Sequence, residues 1–245
     1  MDWRDEGILI SVRRHGESAA IIEAFTAAHG RHAGVVRGGA GRRMTPVLQP
    51  GAILALDWSA RLEEHIGTFR VDPVRSNAAT VMSDRAALAA LGSITALISA
   101  TLPEREDHPA LYDRTLDLID ALGSAPDWPA RYALWELSLL SEVGFGLDLT
   151  ACAATGATRD LIWVSPKSGR AVSRAGAAGW ESRLLPLPRF VRDRAAAPTP
   201  DDIAAALMLS GHFLETSLAP HLPRGALPAA RARAVEALTR GDRGS

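Results

Sequence analysis

The sequence predicts an α+β protein, with a small five-stranded closed β-barrel followed by a mainly α-helical domain. Three observations carry this. The first 71 residues hold five short β-branched or alternating runs punctuated by Gly and Pro. After Val71 the apolar period lengthens to that of a helix. Residues 145–185 then break the helical pattern with short extended runs around a Ser-Pro-Lys-Ser-Gly turn. Many short strands in so little chain favour a closed barrel over an open sheet.

The strands follow in order. Gly7–Arg14 is the first, and Ser18–Thr26 follows the turn His15-Gly16-Glu17. Arg31–Arg37 comes after Ala28-His29-Gly30, and a flexible loop from Gly38 ends near Pro50-Gly51. Ala52–Ala60 and Gly67–Val71 complete the set, with Asp72-Pro73 breaking the last. Between the last two strands, Glu63-Glu64-His65 reads as an exposed hairpin turn. The barrel therefore occupies 1–75 and the helical domain 76–240, with an irregular β subdomain at 145–185 and a frayed tail at 241–245.

Within that domain, Ser83–Leu102 is Ala/Leu-rich, with Ser83 as its N-cap. Pro109–Leu122 and Trp128–Val143 each end before a glycine, and the three together read as a helical bundle. Leu161–Val164 and Arg170–Ser173 are short strands. Asp201–Leu218, capped through Thr199, and Leu227–Leu238 are the closing helices.

Composition narrows the function classes. A chain of 245 residues that is 47% hydrophobic can bury a sizeable core. Met1–Glu6 opens with acids rather than a basic n-region, so no secretory signal is expected. The longest apolar stretch, Leu88–Leu102, is interrupted by Gly92, Ser93 and Thr95, so no membrane span is expected. Cys152 is the only cysteine, which excludes a disulfide within the chain and points to a reducing cytoplasm. Enzyme signatures are missing: there is no Walker A loop, no nucleophile elbow, no His-Glu-x-x-His, and Gly39-Ala40-Gly41 lacks the third glycine of a dinucleotide loop. Cys152 reads as a buried thiol, and His15 and His29 read as turn residues.

One stretch does point to chemistry. Ala24–Leu56 contains Arg31, Arg37, Arg42, Arg43, His29 and His32 and no Asp or Glu. The loop between the third and fourth strands has no structural need for arginine, and its charge suits phosphates. Arg37, Arg42 and Arg43 are the first candidates for phosphate contacts, which makes them the DNA-binding candidates of the family resemblance given below. Arg13, Arg14 and Arg31 come second, because strand arginines also guard sheet edges. The net charge of −1 hides segregation: residues 81–150 carry 4 basic and 11 acidic groups, and residues 151–245 carry 13 and 8.

Several segments together resemble one family. His15–Ala19 (HGESA), His29-Gly30-Arg31, Gly34–Gly38 (GVVRG), Leu48–Gly51 (LQPG), Gly144–Leu149 (GFGLDL), Val164–Ser173 (VSPKSGRAVS), Ser210–Glu215 (SGHFLE) and Leu227–Arg233 (LPAARAR) are similar, in order and spacing, to the bacterial RecO family. The likeness runs from about Gly7 to Leu238. It implies that the barrel is an OB-fold and that the irregular subdomain is a zinc-ribbon-like remnant. It implies a non-enzymatic recombination mediator of the cytoplasm and nucleoid, which binds single- and double-stranded DNA and anneals complementary strands. The implied protein partners are RecR, with which RecA is loaded, and the C-terminal tail of single-strand-binding protein. Some members hold zinc with four cysteines in the region matching 150–175. Here only Cys152 remains, Thr155 stands at its CxxC partner position, and no zinc is expected.

A tail of that kind needs an apolar pocket rimmed by arginine. Arg131, one turn before Trp135 and three residues after Trp128, is the candidate, with Arg105 and Arg114 next. A plain core role for both tryptophans stays open. So do two other readings of the whole chain: a protein-only adaptor whose basic loop docks acidic partners, and an enzyme built around Glu63-Glu64-His65.

Overall fold

A long, bent first strand sets the barrel. In a computed structural model, which describes residues 1–62 and 65–240, β1 (Asp2–His15) has two neighbours along its length. Its first half pairs with β4 (Ile53–Ser59), from Asp2↔Ser59 to Ile8↔Ile53. From Gly7 onward it pairs with β2 (Ala19–Thr26), and the register slips between Leu9 and Ser11. An extra residue in one strand bends it, which lets β1 serve both sides. β2 runs on into β3 (Gly30–Val36), and β5 (Thr68–Arg75) closes against β3 through the parallel pairs Val35↔Thr68 and Val36↔Phe69. The order β1-β2-β3-β5-β4 is a closed five-stranded barrel, an OB-fold. Its core holds Leu9, Ile22, Leu54, Leu56, Trp58 and Phe69, all buried.

Three expectations for this region need correction. β1 begins at Asp2, because the acidic opening alternates exposed and half-buried residues against β4. β5 runs through Pro73, which faces Leu54 where the β4 register is irregular. Its partnership with β3 ends at Phe69, so Pro73 lies beyond the β3 pairing and its missing N–H breaks no ladder there. The loop after β3 is a run of hydrogen-bonded turns, with Ala40 N donating to Ser18 O (3.0 Å) and Leu48 N to Met44 O (2.8 Å), anchored by buried Leu48. Glu63, Glu64 and the tail from Gly241 lie outside the described residues.

The described residues form two compact units, one of 1–125 with 228–234 and one of 126–227 with 235–240. Beside the barrel, the first holds α1 (Ala78–Ser83), α2 (Arg85–Thr101) and α3 (Pro109–Ala121). Asp84 caps α2, accepting from the N–H groups of Ala86 and Ala87, while Ser83 ends α1. Carboxylates bind helix N-termini at least as well as hydroxyls, so the cap moved one residue. Both longer helices dock on the barrel: Ser99 Oγ donates to Glu23 (3.0 Å), and Tyr112 meets Phe25 edge-on at 5.6 Å. The three helices expected as one bundle are thus divided, α2 and α3 falling in this unit and the third in the second.

The connection from α2 to α3 crosses the start of β3. Arg105 N donates to Arg31 O at 2.9 Å. Gly30, at φ +59, lets it come close: a Cβ there would sit 1.8 Å from Glu106 O. Only glycine fits that turn.

In the second unit, α4 (Trp128–Glu142) packs with α6 (Pro200–Phe213) around a buried polar contact. Glu136 accepts from Tyr132 (2.9 Å) and Ser210 (2.5 Å) with no exposure to water. Thr199 and Asp202 form a reciprocal capping box at the start of α6. Its expected continuation to Leu218 changes to a π-turn over Leu214–Leu218. A three-stranded sheet, order β7-β6-β8, joins β6 (Leu161–Val164) to β7 (Ala171–Ser173) and β8 (Leu185–Pro186). One turn of helix, α5 (Arg189–Arg192), precedes α6, and α7 (Ala229–Arg240) closes the described chain. Among the described residues no helix is long and apolar enough to cross a membrane.

Candidate nucleic-acid interface

The end of β3 and the loop from β4 to β5 enclose an open groove of about 700 Å³. Val35, Arg37, Ser59, Arg61, His65 and Thr68 are among its walls. The far side of the loop is held from several directions. Trp58 Nε1 donates to Ile66 O (3.1 Å), Val35 N to Gly67 O (3.1 Å), and the Arg105 guanidinium to His65 O (3.0 Å). Gly67 takes φ +68 with its Cα against the Trp58 ring, where a Cβ would lie 2.5 Å from the indole. The groove is thus built by packed backbone, and among the described residues its charge comes from Arg37 and Arg61.

Arg42 and Arg43 stand exposed on the adjoining turns, and Arg13 and Arg14 on the far half of β1. None of Arg13, Arg14, Arg37, Arg42, Arg43 and Arg61 has an ion-pair partner among the described residues. Phosphates compete only with water for such groups. A second groove, of about 600 Å³, lies where β1, β4 and β5 meet. Asp5, Glu6, Asp57 and Asp72 outnumber Arg4 and Arg70 there, and Arg4 is paired with Asp57 at 3.1 Å. Acidic walls repel phosphate, so the groove at Arg37 is the better candidate.

Arg31 differs from its neighbours. Its side chain is 13% exposed, and the guanidinium pairs with Glu23 at 2.8 Å and Glu104 at 3.5 Å and donates to Leu102 O. Glu23 also accepts from Ser11 and Ser99, both at 3.0 Å. This charge is engaged inside the fold and ties the barrel to α2.

The barrel aromatics are mostly core. Phe25, Trp58 and Phe69 are buried. Trp3 is half-buried and stacks on His29 at 4.1 Å. His32 packs among Trp3, Trp58 and Phe69, and neither ring nitrogen has a hydrogen-bond partner among the described residues. Burial, with the nearby Arg105 charge, pushes its pKa down to about 4.

In the second unit, Trp128 and Trp135 are buried and only Arg131 is exposed, paired with Asp127 at 2.9 Å. Both rings take the core role that the sequence left open, and Arg131 stands at the surface of the same helix.

The region of the expected zinc remnant is a hydrogen-bonded cluster. Cys152 Sγ accepts from Ser173 N (3.2 Å) and Ser173 Oγ (3.3 Å), and Thr155 Oγ1 lies 3.3 Å from Ser173 Oγ. A Cβ at Gly176 would lie 2.7 Å from Sγ, so two x-x spacings converge on one point. Burial alone would raise the thiol, but hydrogen bonds from Ser173 and Thr155 outweigh it and bring it to about 6. One thiol, two hydroxyls and a glycine do not make the donor set of a structural zinc, which wants Cys or His at all four corners. Among the described residues no three His, Cys, Asp or Glu gather as a metal site.

Sequence reasoning missed Arg61 and His65 as walls of the groove and Arg105 as the side chain that holds its loop. Arg61 is two residues past a strand end, and its only signal was its place in the loop between the last two strands of the barrel.

Two family models match the chain, Recombination protein O N terminal over residues 1–77 and Recombination protein O C terminal over residues 82–225. Relatives named DNA repair protein RecO match nearly end to end. That of Ruegeria sp. (strain TM1040) is 56% identical over 98% of this chain and 99% of its own length. That of Roseobacter denitrificans is 57% identical with the same coverage, and that of Dinoroseobacter shibae is 51% identical with the same coverage.

Proposed function

The chain belongs to the Recombination protein O family, and from that premise we propose a DNA-repair and recombination mediator that works without catalysis. It binds single- and double-stranded DNA, anneals complementary strands and, with RecR, helps load RecA onto DNA covered by single-strand-binding protein. Its site of action is the cytoplasm and nucleoid. The observation that carries this reading is the groove at the end of β3. There Arg37 and Arg61 face open space beside Arg42 and Arg43, with no acidic partner among the described residues.

Such a surface tracks phosphates and reads no bases, so binding is tolerant of sequence and strongly salt-dependent. Neutralising backbone charge also removes the repulsion that keeps two complementary strands apart. Recognition of the single-strand-binding protein tail belongs to the same reading. Arg131→Glu in a peptide titration decides whether its guanidinium takes part without the buried indoles.

The test is equilibrium binding of a fluorescent single strand to the full chain, followed by annealing of two complementary strands. Binding with similar affinity to unrelated sequences, and annealing faster than the free strands, is expected. A chain that binds RecR but no DNA at low salt is a protein-only adaptor, and the reading fails.

A further inference from the structure

Trp180 is 57% exposed, the one tryptophan among the described residues that is neither buried nor half-buried. It sits between β7 and β8 on a connection pinned by its own backbone. Trp180 N donates to Ala177 O (2.7 Å), and Arg183 N donates to Trp180 O (2.9 Å). The Arg183 guanidinium lies over the indole, 5.1 Å from its centroid. The ring is therefore held in place at the surface instead of folding back onto the core.

The surrounding lobe is basic. Residues 145–195 carry eight basic and four acidic side chains. Asp148 is paired with Arg170 and Asp193 with Arg189. Arg159, Lys167, Arg174 and Arg183 are exposed and have no ion-pair partner among the described residues. Arg174 N donates to Asp160 O, so Arg159 and Arg174 lie at the same end of the β6–β7 pair. An indole with one guanidinium already stacked on it, among unpaired cations, has the two elements that hold a single strand: a π-face for a base and donors for its phosphates.

We propose that this lobe is a second surface for single-stranded DNA, with a base stacked on Trp180 and phosphates held by Arg174 and Arg183. The proposal rests on the annealing reading above, because annealing requires the chain to hold two strands at once. An acidic peptide with an apolar end is the competing occupant. It needs an enclosed pocket for its last side chains, whereas Trp180 offers an open ring at the surface, which suits a base.

The experiment titrates the full chain with a labelled 12-residue oligothymidylate and measures annealing of complementary strands. Twelve nucleotides fit one site, since an OB barrel covers about 4–16. The wild type binds two oligonucleotides per chain. Trp180→Ala binds one, with the remaining affinity unchanged, and anneals at least about tenfold more slowly. Trp180→Phe, which keeps a stacking face, recovers most of both. Melting temperature stays within a degree or two in each variant, because the side chain is exposed. One oligonucleotide per chain with or without Trp180, at unaltered annealing rate, overturns the second surface and leaves the barrel reading intact. No oligonucleotide bound at all overturns both. Loss of an acidic peptide in Trp180→Ala, with DNA stoichiometry unchanged, assigns the surface to a protein and also overturns the proposal.

Discussion

Arg31 and Arg37 lie six residues apart at the two ends of one strand segment, and burial separates their roles. Arg31 is enclosed by Glu23 and Glu104, so Arg31→Ala leaves a half-buried carboxylate without its cation. Loss of about 3 kcal/mol in a denaturant titration is expected, with the DNA salt slope unchanged. Arg37→Ala should do the reverse, leaving stability within about 0.5 kcal/mol and weakening DNA binding. From sequence both were arginines in one acid-free stretch. What distinguishes them is Glu104, which lies 73 residues away in the chain and reaches Arg31 only through the connection over Gly30. Side-chain roles that depend on such long-range partners were not legible.

His32 supplies a pH signature at the same scale. Its folded pKa of about 4 lies below the ordinary 6.5, so the unfolded chain takes up the proton first. The stability contribution of the neutral ring is whole above about pH 6.5. It declines as pH falls and is gone below about pH 4, a loss of about 3 kcal/mol. His32→Phe keeps an aromatic ring in a site where neither nitrogen has a hydrogen-bond partner among the described residues. Denaturant titrations from pH 7 to pH 4 should show a shallower decline for His32→Phe than for the wild type. Parallel declines would mean that another group controls the acid limb.

Among elements, the strands were the most legible because period-two alternation and turn residues are local. β2 to β4 fall within a residue or so of the expected ends. The misses have tertiary causes. β1 gained five residues because β4 offers a pairing edge to its acidic opening, and β5 continued through a proline that breaks no pairing with β3. The helices were found, but their grouping was not, since helical period says nothing of which surface covers the apolar face. The Cys152 cluster shows the same limit. The family resemblance marked Thr155 as the CxxC partner position, while the approach of Ser173 and Gly176 to Sγ needed the fold. With hydroxyls and a glycine at three corners, the purified protein should carry no stoichiometric zinc by elemental analysis, and a chelator should leave its melting temperature unmoved. A structural zinc contributes on the order of 10 kcal/mol to folding, so its removal would shift that temperature visibly. One zinc per chain would overturn this reading of the lobe.

At the scale of the whole molecule, the near-zero net charge conceals separate surfaces. The acidic middle carries a net −7 between ends of net +1 and +5, and each compact unit presents exposed arginines, Arg37 and Arg61 in one and Arg174 and Arg183 in the other, with no ion-pair partner among the described residues. That segregation was legible in the sequence, but which cations were already paired was not. The central claim is that the barrel groove and its adjoining turns hold the phosphates. Its most direct test is the slope of log affinity for single-stranded DNA against log salt, for the wild type and for the Arg37→Ala, Arg42→Ala, Arg43→Ala triple variant. Each lost phosphate contact flattens the slope by about 0.7, so a flattening of about 2 is expected, alike for every DNA sequence. A triple variant with the wild-type slope and affinity would contradict the claim and move the DNA site off the barrel.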